Sequence, residues 1–156
     1  MADNQTPISD LIGVAYTNAM VDSVYERMDE LGKELVYEMQ ANLVADPGID
    51  TGALYNSIRH EVTQDGDKVI LRIYADAESP NGVPYAEFIE YGTGIENRNG
   101  NGRTEPWRYV DVHGQWHTTT GHRAHPFIEP ALDVVLPDFK DLVMDIITDI
   151  SKYHKK

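Results

Sequence analysis

Apolar residues at Val21, Val24, Met28, Leu31, Leu35, Met39 and Leu43 recur in steps of three or four, the spacing of one helix face. Glu26, Arg27, Asp29, Glu30, Lys33 and Glu34 occupy the other faces, so the pattern predicts an amphipathic helix packed on a core. Residues 1–10 read as a loose, flexible polar arm, and helical character begins from about Leu11. Gly32 costs about 1 kcal/mol against alanine in a helix interior, so a bend is expected there. Asp46-Pro47-Gly48 ends the helix.

The pattern then changes period. Asp50–Ile58 reads as a tight corner leading into extended chain, with Asp50 or Thr51 as a cap and Gly52 free to take unusual dihedrals. A strand is predicted near Ser57–Thr63, the Asp65-Gly66 pair signals a hairpin turn, and Val69, Leu71 and Ile73 alternate with polar positions on the returning strand. Residues 78–84 are a loop by composition. Tyr85–Tyr91 forms a short helical turn, and Gly92–Arg103 is rich enough in glycine and asparagine to be a mobile, exposed loop. Trp107–Val112 and Gln115–Thr119 flank His113-Gly114 as a second hairpin.

The last element starts near Pro126 or Pro130 and carries Leu132, Val135, Leu136, Phe139, Leu142, Val143, Ile146 and Ile150. Pro137 lacks a donor and crowds the preceding turn, so the expectation is a short helix, a kink and a new helix with Pro137 in first position. Residues 151–156 form a basic tail. The order of helix, hairpin, short helix, hairpin and helix predicts a single α+β domain, an antiparallel sheet with helices on one face.

Charge and composition narrow the function. The formal net charge of −13 is the wrong sign for holding nucleic acid by counterion release. It is compatible with a surface that DNA slides past. With no cysteine, disulfides, thiolate metal sites and cysteine nucleophiles are absent. Neither a secretory leader nor an apolar run of membrane-spanning length is visible.

No catalytic constellation stands out. His113, His117, His122 and His125 crowd the second hairpin but lack the spacing of a metal motif, so surface histidine is the preferred reading. Glu87 and Glu90 could pair as acid and base, but a solvated edge or a contact between subunits is preferred. Gly92-Thr93-Gly94 lacks the lysine of a phosphate cradle. Trp107, Tyr109 and Trp116 with Arg103, Arg108 and Arg123 could stack on single-stranded nucleic acid; core and cross-strand packing suits the acidic chain better. No catalytic, cofactor or metal residue is assigned.

Three blocks in order carry a resemblance. They are Asp50-Thr51-Gly52-Ala53-Leu54-Tyr55-Asn56-Ser57-Ile58, Tyr85-Ala86-Glu87-Phe88-Ile89-Glu90-Tyr91-Gly92-Thr93, and Ala124-His125-Pro126-Phe127-Ile128-Glu129-Pro130-Ala131-Leu132. Between a leading and a closing helix they resemble the tail-component family of long-tailed bacteriophages, neck proteins that complete the tail and join it to the head. The resemblance spans about Val21 to Ile150. It implies a curved antiparallel sheet packed against long N- and C-terminal helices, and no catalytic residue. It also implies assembly into a ring, sixfold to match the tail tube, around a channel that DNA crosses without sequence-specific binding.

The expected neighbours are a head-closure or adaptor ring on one side and a tail terminator or tail-tube protein on the other. The location would be the virion neck, after synthesis in the host cytoplasm, with no membrane partner. Thr51, Gly52, Tyr85, Glu90, Gly92, Thr93, Pro126, Phe127 and Pro130 become structural or subunit-contacting positions. In the loop, Asn97, Arg98, Asn99, Asn101 and Arg103 would face the channel or the adjoining ring and order on assembly. A residue 44–49 insert and the asparagine- and glycine-rich loop depart from the family pattern. The rival readings are a tail terminator that caps tube growth, a small metal-dependent enzyme using the His113–His125 cluster, and a nucleic-acid module.

Overall fold

The computed structural model describes residues 9–14, 18–45, 52–66, 68–111 and 113–153. The long helix α1 runs over Asn18–Val44. All seven of its expected core positions, Val21 through Leu43, are buried. The helix packs on a three-stranded antiparallel sheet and also on the closing helix α4, Ile128–Tyr153. The chain is thus an α+β fold with antiparallel sheets and long helices near its two ends.

The sheet has the order β1–β3–β2, built from Ser9–Val14, Ile58–Asp65 and Lys68–Ala75 in chain order. The hairpin of β2 and β3 follows the sequence reading: Val69, Leu71 and Ile73 are buried, and Gly66 turns with φ 61°. β1 corrects the reading of a loose arm followed by helix from Leu11. Residues 9–14 instead pair with β3, Ser9 opposite Ile73 and Val14 opposite Lys68. A short apolar run cannot by itself declare strand or helix, and here a partner some sixty residues away decides.

Three further expectations are corrected. The corner after residue 50 is a short helix, α2, over Gly52–Ser57, with Leu54 in the core and the Tyr55 carbonyl accepting from Gln40 Nε2 at 2.9 Å. Pro137 lies inside a continuous α4 rather than opening a second helix. It is exposed, on the face opposite Ala131, Val135 and Leu142. A proline there costs about 3 kcal/mol in isolation, but the apolar stripe is buried on both sides of it. Gly32 marks a close approach instead of a bend: a Cβ there would lie 2.7 Å from His60 Cγ and 2.8 Å from Leu71 Cδ1. The missing side chain lets the sheet press onto α1.

Beside Gly32, Asp29 accepts from His60 Nε2 at 2.7 Å and pairs with Lys33 at 2.7 Å. The bond from Lys33, then that from His60, holds the Asp29 carboxyl below its ordinary range. A carboxyl lowered on folding contributes stability that is full above its unfolded pKa of about 3.9 and is lost as pH falls through the lower folded value. Asp29→Asn should therefore melt below wild type at pH 7, and the gap should close as pH drops from about 4 toward 2. Thermal denaturation across that range measures it; a gap independent of pH would refute the assignment.

Candidate functional site

The sequence blocks around Tyr85 and Pro126 meet at one joint. The short helix α3, Ala86–Tyr91, carries Glu90, which is 1% exposed. Its carboxyl oxygens accept three backbone N–H bonds from the start of α4: Phe127 at 2.7 Å, Ile128 at 2.8 Å and Glu129 at 3.1 Å. A helix leaves its first four N–H groups without partners inside the helix. Here Glu90 takes three, and the fourth position is Pro130, which has no N–H. The positive end of the helix dipole favours an acidic group at that place. This corrects the reading of Glu90 as a solvated edge or subunit contact; Glu87, by contrast, is exposed.

Other bonds tighten the joint. His125 N–H donates to the Ile89 carbonyl at 2.8 Å, and Asn42 Nδ2 of α1 donates to the Phe127 carbonyl at 3.2 Å. Phe127 is fully buried. The Tyr85 carbonyl accepts from Ile89 N–H at 3.1 Å, opening the helical turn. Directly after α3, strand β4, Thr93–Gly94, pairs with strand β7, Gly121–His122. Thr93 Oγ1 also accepts from His122 N–H at 2.9 Å. A Cβ on Gly94 would collide with the Thr120 carbonyl, and one on Gly121 with the Thr93 carbonyl. Only glycine lets the two backbones lie this close.

Of the positions singled out by resemblance, Tyr85, Glu90, Gly92, Thr93, Pro126, Phe127 and Pro130 lie in or next to this joint. Gly52 sits apart, exposed at the start of α2. Thr51 lies outside the described residues, as do the Asp46-Pro47-Gly48 helix end, Asp50, Val112 and the tail beyond residue 153.

The Gly92–Arg103 loop is held in the isolated chain, against the expectation that it orders on assembly. Arg98 N–H donates to the Tyr91 carbonyl at 2.8 Å, Asn97 Nδ2 to the Gly92 carbonyl at 2.9 Å, and Asn99 N–H to Asn97 Oδ1 at 2.9 Å. The Arg98 guanidinium pairs with Glu129 at 2.7 Å. Asparagine and glycine here build turns, with side-chain amides replacing absent backbone partners. Asn99, Asn101 and Arg103 remain exposed.

Beyond the loop, strands β5, Trp107–Val110, and β6, Trp116–Thr119, form the second hairpin. Asp111 organises its turn, accepting from His113 N–H at 2.9 Å, Gln115 N–H at 2.8 Å and His117 Nε2 at 2.8 Å. The bond from the Gln115 backbone, then that from His117, holds its carboxyl below the ordinary range. The aromatic residues are not core, contrary to the sequence reading. Tyr109 is 46% exposed and Trp116 is 64% exposed. Tyr109 stacks on His117 with centroids 5.3 Å apart, Arg108 lies over Trp116 at 4.9 Å and Arg103 over Trp107 at 5.8 Å.

His122 and His125 lie with ring centroids 5.0 Å apart. Among the described residues, no three His, Cys, Asp or Glu side chains gather as a metal would require. No helix among the described residues is long and apolar enough to cross a membrane. What the geometry offers is a rigid joint carrying an exposed hairpin, suited to contact with another surface. Comparison with protein-family models, curated proteins and solved structures finds no match.

The joint makes a stability prediction. Removing a charged acceptor from buried donors leaves those donors unsatisfied, so Glu90→Ala should lower the unfolding free energy by about 3–5 kcal/mol. Glu90→Gln, which keeps one acceptor oxygen, should cost roughly 1–2 kcal/mol. Urea unfolding reads both; equal stability of Glu90→Ala and wild type would refute the role.

Proposed function

We propose that this chain is a structural virion protein, a subunit of a ring in the neck of a long-tailed phage that completes the tail and joins it to the head. The observation that carries the reading is the joint. Two of the three resembling blocks are physically coupled there, Glu90 of one block holding Phe127, Ile128 and Glu129 of the other. Their residues serve architecture and leave chemistry unassigned. The exposed parts beside the joint are contact surface: a turn-rich loop and a hairpin with aromatic and arginine side chains.

In this reading the subunit binds copies of itself in a sixfold ring, a head-closure or adaptor ring above and a terminator or tube protein below. An acidic chain, net −13, suits a channel that DNA crosses without being held, since like charge keeps phosphate from sticking. The enzyme reading gains no support, as each histidine of the His113–His125 group lies in hairpin, turn or joint structure.

Electron microscopy of a lysate from a phage carrying a nonsense mutation in this gene tests the reading. Filled heads beside separate tails of normal length are expected. Overlong tails would replace joining with tube termination, and intact infectious virions would overturn both.

A further inference from the structure

We propose that the β5–β6 hairpin is an arm that docks on a second copy of this chain, against the outward face of α4. The inference rests on the ring reading and names the contact that would build the ring. Three observations converge on it.

The first is that the hairpin lacks cover. Its strands pack on each other, and no other element touches either of them more than marginally. A two-stranded hairpin alone is marginally stable in water. The register places Trp107, Tyr109 and His117 on one face, and Arg108, Val110 and Trp116 on the other. Large side chains therefore stand exposed on both faces, Val110 at 46% and Trp116 at 64%. Exposed apolar groups gathered in this way mark contact surfaces, and a two-sided element is completed by a surface outside its own fold.

The second is charge. Residues 98–125 hold four arginines against two acids, while the rest of the chain holds nine basic and 24 acidic residues. Arg103, Arg108 and Arg123 join no ion pair among the described residues. Arg108 gives the face of its guanidinium to Trp116, which leaves its N–H edge for a carboxylate. The arm is basic and the body that would receive it is acidic.

The third is a matching surface. Opposite the buried stripe of Ala131, Val135 and Leu142, α4 exposes Val134 at 54%, Leu136 at 42% and Met144 at 54%. Asp133, Asp138 and Asp141 stand exposed among them and join no ion pair among the described residues. Three free carboxylates interleaved with apolar groups complement three free arginines interleaved with aromatic groups. Arm and receiving face are different patches of one chain, so the contact is head-to-tail, the kind that closes into a ring.

The test uses the purified full chain and sedimentation velocity with native mass spectrometry. Arg103→Glu with Arg108→Glu should weaken self-association at least about tenfold, a loss of about 1.4 kcal/mol. Asp138→Arg with Asp141→Arg should do the same. Both pairs are exposed, so circular dichroism should match wild type, and Trp116→Ser supplies an independent weakening variant. Mixing the two charge-reversed proteins should restore association, because each arm then meets a face of opposite sign.

Wild-type assembly by the arm variant would overturn the contact and leave the neck reading to the lysate experiment. A wild type that stays monomeric at high concentration would also overturn it. So would arm-dependent, salt-sensitive binding of a fluorescent single-stranded oligonucleotide, which would make the arm a nucleic-acid platform.

Discussion

The carboxyl of Glu90 is the constraint on which the C-terminal half depends. One side chain from a six-residue helix supplies partners for three N–H groups of a 26-residue helix. Such donors would otherwise sit beside fully buried Phe127 with nothing to bind. Leaving one unpaired costs about 1–3 kcal/mol, so together they fix where α4 begins and which way it points. Pro130 completes the arrangement by lacking the donor that Glu90 does not reach. The helix so placed lies against α1, which in turn holds the sheet.

From that joint the exposed elements take their positions. β4 leaves α3 directly and meets β7 across a glycine-only approach, so both ends of residues 95–120 are pinned within a few residues of Glu90. The loop at Asn97 and Arg98 is tied back to Tyr91, Gly92 and Glu129. What projects is the hairpin, stiffened by the Asp111 turn and by its own stacking. Function in such a chain resides in surfaces held at fixed geometry, and the buried acid is the means of holding them.

The legible parts of the sequence were those with local period. α1 announces itself through seven positions at helical steps, and β3 through strict alternation around Val69, Leu71 and Ile73. Features set by distant partners were not legible. β1 depends on β3, far along the chain, and a run of six residues does not choose its own state. Glu90 caps a helix 37 residues away, whereas sequence rules for capping look three residues along. The one available hint was Pro130 near a helix start, beside an acid-bearing turn. Pro137 misled because propensity was weighed without the buried stripe that spans it. Trp116 misled because an aromatic residue is usually covered, and here its cover is not supplied by the chain.

Amide hydrogen exchange at single-residue resolution tests the central claim most directly. If Glu90 holds the joint, the amides of Phe127, Ile128 and Glu129 should be protected as strongly as those in the middle of α1, while His117 and Thr118 exchange far sooner. Exchange of those three amides at the rate of an exposed chain would show that the acid does not cap α4, and the arrangement built on it would fall.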